Sequence, residues 1–311
     1  MTPSRGGQTS TPFGAALVGL AAMLWATDVL FRVPALKELD ALLIVLLEHL
    51  ICVTVLAPWI LLRRRKEALR LGAAEWLCAA ASGIGASALA TVLFTASFRW
   101  VDPSVSILLQ KLQPVVVVLM AWLFLRERPT RAFFGWAPMA LGAGLVLSFP
   151  DFRFPFLQSG LVDLRSKGAI YALSAASLWA LATVVGRRML RQVPADVAAF
   201  WRFAFGAGAL LIIQLGGGGS LPHGGALLEA LRPVAYMALG PGLLAMLLYY
   251  SGLRRASATT ATFMELLVPV AAVALNAIWL DSRLSVVQFV AGGLLLVAVT
   301  RISLLPTTEG A

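Results

Sequence analysis

Residues 104–125 form an apolar run long enough to cross a bilayer, yet Gln110, Lys111, Gln113 and Pro114 interrupt it near mid-depth. Lipid would leave an ammonium unpaired there, and Pro114 leaves a backbone carbonyl without its N–H donor. The run must therefore face other helices or a wet cavity. The pattern also returns in the second half of the chain. Leu112-x-Pro114-Val115 reappears as Leu267-x-Pro269-Val270, Ser104 as Thr259, and Phe98-Arg99 as Leu253-Arg254, all at one offset. Proline-interrupted spans at corresponding places in two halves of a membrane protein point to the binding site of a transporter.

Composition agrees with a polytopic membrane protein. Only 13% of the 311 residues are charged and 59% are hydrophobic, too few charges to clothe a soluble domain of this size. The net charge of +10 sits in short segments between apolar runs and not along one amphipathic face. That distribution reads as a topology signal and as contact with anionic lipid headgroups, so the bilayer is an expected partner and nucleic acid is not. Cys52 and Cys78 both lie inside apolar runs and form no disulfide or zinc framework. No HExxH or other metal spacing occurs, and neither a metal nor a cofactor is expected.

The sequence reads as ten spans, at roughly 14–31, 41–62, 76–98, 104–125, 132–149, 169–186, 197–215, 233–252, 257–280 and 285–304. Residues 1–13 and 306–311 are expected to be polar tails. Lys and Arg test the orientation. With the N-terminus inside, fifteen fall in cytoplasmic segments and eight outside, while Lys111 and Arg202 lie within spans. Both termini are thus expected in the cytoplasm. Internal repetition sets the architecture. Gly14…Leu24-Trp25-Ala26 echoes Gly168…Leu178-Trp179-Ala180, matching span 1 to span 6, and the proline spans match 4 to 9. Five spans per repeat force the second to enter the membrane inverted. The expected organisation is a first repeat over 14–149, an external connecting loop over 150–167, and a second repeat over 168–305. The tract 216–220 is glycine-rich without a GK[ST] ending, and reads as a flexible loop.

With these residues in place the chain resembles the drug/metabolite transporter superfamily, EamA type. The resemblance rests on the Leu-Trp pairs of spans 1 and 6 and on Trp201-Arg202-Phe203 in span 7. It rests also on Gln113-Pro114-Val115 followed by Phe124-Leu125-Arg126-Glu127-Arg128-Pro129-Thr130, on the repeated Leu-x-Pro-Val, and on Gly142, Gly144, Gly292 and Gly293. It covers residues 14–304. The chain departs from the family pattern at Glu48-His49 and at Leu280-Asp281-Ser282-Arg283. The resemblance implies an all-α integral membrane protein, ten helices in two inverted five-helix repeats around a central cavity, and export of amino acids or other small metabolites.

The charges inside the spans carry the candidate site. At ~1.5 Å rise per residue, Lys111 and Glu48 fall ~5 Å outside the midplane and Asp28 ~8 Å, while Glu265 and Arg202 lie ~5–6 Å inside it. Depth alone pairs Glu48 or Asp28 with Lys111, and Glu265 with Arg202. Such pairs act either as buried staples or as elements that open when substrate enters. Thr262, Glu265, Pro269, Ala272 and Asn276 share helical spacings, as a polar cavity stripe would, and Ser106, Gln110, Gln113 and Pro114 are a weaker counterpart. Trp25 and Trp179 sit mid-span, away from the interfacial belt, and are expected in the cavity wall. Asp28 and Arg32 share the face of Trp25, with Arg32 near the boundary, where it can snorkel. Tyr249 and Tyr250 read equally as a gate or as interfacial anchors. His49 beside Glu48 reads first as a packing residue and second as a proton relay.

The expected site is therefore Trp25, Gln110, Lys111, Gln113, Trp179, Glu265 and Asn276 for substrate. Asp28, Glu48, His49, Arg202, Tyr249 and Tyr250 serve coupling or gating, and Pro114 and Pro269 break the helices. The expected function is a secondary transporter of the bacterial inner membrane, a monomer or homodimer, exporting a small amino acid or amine-like metabolite by alternating access. With no ATP motif, energy is expected from a substrate or ion gradient, and with no clustered nucleophile or acid–base group near one membrane face an enzyme is not expected. The competing readings are an intramembrane enzyme and a lipid-headgroup translocator.

Overall fold

The structure is a computed structural model that describes residues 12–125, 129–153, 164–189, 192–217, 225–253, 255 and 264–305. Arg5, Arg126, Arg128, Gln158, Gly218, Gly219, Ser220, Arg254, Thr259, Thr262 and the 306–311 tail lie outside them. Every regular element among the described residues is helical. Six runs are long and apolar enough to cross a membrane, and three further apolar helices are shorter.

The first repeat opens with α1 (Pro12–Glu38) and α2 (Ala41–Arg63). Asp40 caps α2 by accepting the Leu43 N–H at 2.8 Å. A short α3 (Arg65–Leu69) leads to one long helix made of α4 (Ala73–Ala80), a π-helical stretch (Ala81–Leu89) and α5 (Ala90–Ser97). Next come α6 (Pro103–Gln110), capped by Asp102 with Pro103 in its first turn, then α7 (Gln113–Leu125) and α8 (Phe133–Ser148). The second repeat holds α9 (Leu164–Met189) and α10 (Ala195–Gly216). It continues through α11 (Gly225–Met237), a second π-helical stretch (Ala238–Leu244) and α12 (Ala245–Leu253). It ends with α13 (Leu267–Trp279) and α14 (Val286–Ser303), the latter opened by a Ser285–Gln288 capping box.

Two helices reach past their expected ends, and one further helix appears. The first helix does not end near residue 31 but runs through Pro34 to Glu38, since a membrane helix tolerates proline where its neighbours satisfy the freed carbonyl. Helix α9 begins at Leu164, inside the segment 150–167 expected as the connecting loop, of which residues 154–163 lie outside the described residues. The helix α3 was not expected at all.

The packing has the exchange symmetry of two related halves. Helix α1 packs on α12 and α13 of the other repeat, and its counterpart α9 packs on α5, α6 and α7. Helix α10 packs on the first π-helical stretch, and α2 on the second. The equivalent helices α2 and α10 pack on each other, as do α8 and α14. Asp196 at the start of α10 accepts hydrogen bonds from Trp59 and Arg64 at the end of α2, so these two ends lie on one face. The seams of α10 are close: a Cβ at Gly206 would stand 2.6 Å from His49 Cδ2 of α2, and one at Gly83 of the first π-helical stretch 2.6 Å from the Arg202 carbonyl.

A cavity between the two repeats

Both proline spans break where the proline denies the previous turn its donor. In the first repeat Lys111 and Leu112 form a turn between α6 and α7, with Lys111 N–H reaching Leu108 and Val115 N–H reaching Leu112. In the second, Leu266 is the turn just after Glu265. Pro114 and Pro269 lack the N–H that would close on the carbonyls of Gln110 and Glu265. The breaks thus bare one carbonyl from each half at the interface of the repeats.

Between them lies a cavity of about 360 Å³. The structure brings to its wall Trp25, Gln110, Lys111, Gln113, Trp179 and Glu265, together with Asp28, Glu48, His49, Arg202, Tyr249 and Tyr250. Trp25 packs against Tyr249 with ring centroids 5.0 Å apart, and Trp179 against Phe94 at 5.2 Å. Trp179 also donates its indole N–H to the Ala86 carbonyl at 2.8 Å, which fixes the plane of its ring.

The expected charge pairs are not the ones formed. Glu48 and Asp28 pair with Arg32 and not with Lys111. Arg32 is only 5% exposed, so it does not snorkel. Its Nε and Nη2 donate to the two oxygens of Asp28 at 2.5 and 2.8 Å, and its Nη1 and Nη2 to those of Glu48 at 3.1 and 2.6 Å. Thr95 accepts the remaining Nη1 hydrogen at 3.0 Å. Arg32 and Thr95 are the residues that sequence reasoning set aside or missed. The spacing of four from Asp28 to Arg32 was the available signal, and Thr95 carried none.

Glu265 and Arg202 form no ion pair among the described residues. Glu265 Oε1 instead accepts the Tyr249 hydroxyl at 2.6 Å and stands within the electrostatic reach of Lys111. Arg202 faces His49, and its buried Nε has no hydrogen-bond partner among the described residues. Equal depth did not suffice because the two residues occupy different walls: α10 packs on α2, while α13 packs on α1 and α6.

Asn276 is not in the cavity wall. It is fully buried and donates to Ser104 Oγ at 3.0 Å, beside a Ser282 hydroxyl that lies 2.7 and 2.8 Å from the two Asp102 oxygens. This polar cluster ties the start of α6 to the end of α13. Ala272 of the same helix still lines the cavity, so the stripe persists across Leu266, and Asn276, one turn further along, lies beyond the cavity beside Ser104. His49 has both ring nitrogens engaged, Nδ1 with the Val45 carbonyl at 2.7 Å and Nε2 with Ser87 Oγ at 2.9 Å, as a packing histidine does.

A family model described as the EamA-like transporter family matches residues 12–148 and again 166–304. The chain is 30% identical over 297 residues to a protein of Fusobacterium nucleatum subsp. nucleatum described as riboflavin transporter ImpX, covering 93% of this chain and 97% of that one. A solved crystal structure, described only as that of a protein, superposes with a TM-score of 0.61 at 23% identity, over 93% of this chain and 96% of the other. The shared fold, the double family match and the full-length relative agree, and this chain belongs to the EamA-like transporter family.

Proposed function

We propose that the chain is a secondary transporter that carries a small, planar heteroaromatic metabolite of the flavin kind by alternating access between its inverted repeats. The observation that carries this reading is the pairing of two tryptophan walls, Trp25 and Trp179, with donors left over in the same cavity. Among the described residues Arg202 Nε has no hydrogen-bond partner, and Lys111 lines the same cavity within electrostatic reach of Glu265. A flavin ring presents carbonyls and ring nitrogens as acceptors on one edge and an apolar face to each side. A cavity of about 360 Å³ lies in the range of drug-sized ligand sites. The relative described as a riboflavin transporter supports the same class.

The proposal includes ten crossings of a bacterial inner membrane, both termini cytoplasmic, with export as the direction the family resemblance implies. Six long apolar runs, three shorter apolar helices and the 26-residue α9 are consistent with that reading. A second reading, a small amine, is favoured by the Glu265 carboxylate beside the Trp25–Tyr249 pair. The test is tryptophan quenching and thermal shift of purified protein against riboflavin, amino acids and organic amines, followed by flux of the binder in proteoliposomes. Riboflavin is expected to quench and stabilise. Stabilisation by an amine, with no response to riboflavin, replaces the flavin reading with the amine one.

A further inference from the structure

We propose that Asp28, Glu48 and Arg32 form a one-proton site, the coupling-ion site of the transport cycle, opening onto the same cavity as the substrate. Its role in coupling rests on the transporter reading; its occupancy rests on geometry alone. A guanidinium has five N–H donors, and here all five are used: two by Asp28, two by Glu48 and one by Thr95. Each of the four carboxylate oxygens accepts one of them. With both acids ionised the cluster carries one net negative charge within apolar spans, where an uncompensated charge is costly.

Among the described residues no further cation faces Glu48. The charged groups facing Glu48 are Arg32 and Asp28 from α1. Arg202, from α10, faces His49, and Lys111 faces Glu265. His49 itself is committed through both ring nitrogens. A proton drawn from cavity water onto a free lone pair of Asp28 or Glu48 neutralises the cluster without displacing any donor of Arg32. Among the described residues no group of three or more His, Cys, Asp or Glu side chains has the arrangement of a metal site.

The location suits coupling. All three residues line the cavity, so one water-filled space serves both proton and substrate. Arg32 ties α1 to α2 and α5, and α1 is the helix that reaches across to α12 and α13 of the other repeat. A change of charge in the cluster therefore alters the grip on the helix that joins the halves. The second repeat has no copy: the positions equivalent to Asp28 and Arg32 are Ala182 and Gly186. One chain thus offers one such site.

Infrared spectroscopy of the purified protein reads the protonated carboxyl directly and needs no substrate. Wild type is expected to show one protonated carboxyl at neutral pH. Asp28→Asn and Glu48→Gln, which keep the shape of the side chain and lose one acceptor toward Arg32, should each remove that band, while Glu265→Gln and added sodium should leave it. Survival of the band in both variants overturns the site, and its loss on adding sodium makes sodium the occupant instead. In proteoliposomes with an internal pH-sensitive dye, a riboflavin gradient should move protons through wild type and not through Glu48→Gln. Riboflavin carried by wild type without proton movement overturns the coupling role. If the carboxyl band behaves as stated while riboflavin is not carried, the flavin reading fails and the proton site stands.

Discussion

Tyr249 donates its hydroxyl hydrogen to Glu265 Oε1 at 2.6 Å, joining the end of α12 to the break that precedes α13. The contact holds the carboxylate at the cavity wall opposite Lys111, at the place where the second repeat bares its carbonyl. A hydrogen bond to a charged group contributes ~1.5–3 kcal/mol, so Tyr249→Phe should lower stability by about that amount in a denaturation series. Glu265→Gln keeps an acceptor for Tyr249 and should fold. We expect Glu265→Gln and Lys111→Met to abolish transport in protein that still inserts. Normal flux through a well-folded Glu265→Gln variant would remove the carboxylate from the mechanism.

Arg32→Met leaves the Asp28 and Glu48 carboxyl groups without their shared cation, and breaking a buried pair in this way costs ~3–5 kcal/mol. Adding Asp28→Asn and Glu48→Gln to it should recover much of that loss, because the charges left behind are then gone. A melting series in which the three changes merely add would show that the network is not coupled.

Gly206→Ala and Gly83→Ala should each destabilise by ~1–3 kcal/mol through overpacking. At Gly206 the new methyl meets a His49 ring pinned at both nitrogens, and at Gly83 it meets backbone of α10. Gly208, in the same helix as Gly206, has nothing within 4 Å of an added Cβ. Gly208→Ala should therefore raise stability by ~0.5–1 kcal/mol, and equal effects at Gly206 and Gly208 would refute the seam as described.

Cysteine placed at Gly217, and at Gln158 outside the described residues, should react with an impermeant reagent in intact cells. Labelling that requires lysis would reverse the proposed orientation.

Arg64 is a surface residue that reaches Asp196 and Glu67 at 3.2 and 3.4 Å. Exposed pairs contribute little, so Arg64→Ala should leave both flux and melting midpoint near wild type. Lost flux in this variant would place function at the α2–α10 surface as well as in the cavity.

The sequence by itself determined the membrane class, the duplication and the places where the helices break. Apolar runs with polar interruptions read the same in any arrangement of helices, and a proline removes its hydrogen bond whatever surrounds it. That is why the amides of 110–113 and the acid at Glu265 were legible as a wet face. The partners of the charges were a different matter. Position along a span gives depth, but azimuth is set only when helices pack, so Glu265 and Arg202 matched in level and still stand on different walls. Arg32 looked peripheral because the first span reads as ending near residue 31, and only neighbouring helices decide whether the helix can run on through Pro34. Asn276 continues the stripe of Glu265 and Ala272, and only the packing shows that the cavity ends before it, where Asn276 meets Ser104. Tertiary structure alone decided these pairings, because a buried charge takes whichever partner the packing places within about 3 Å.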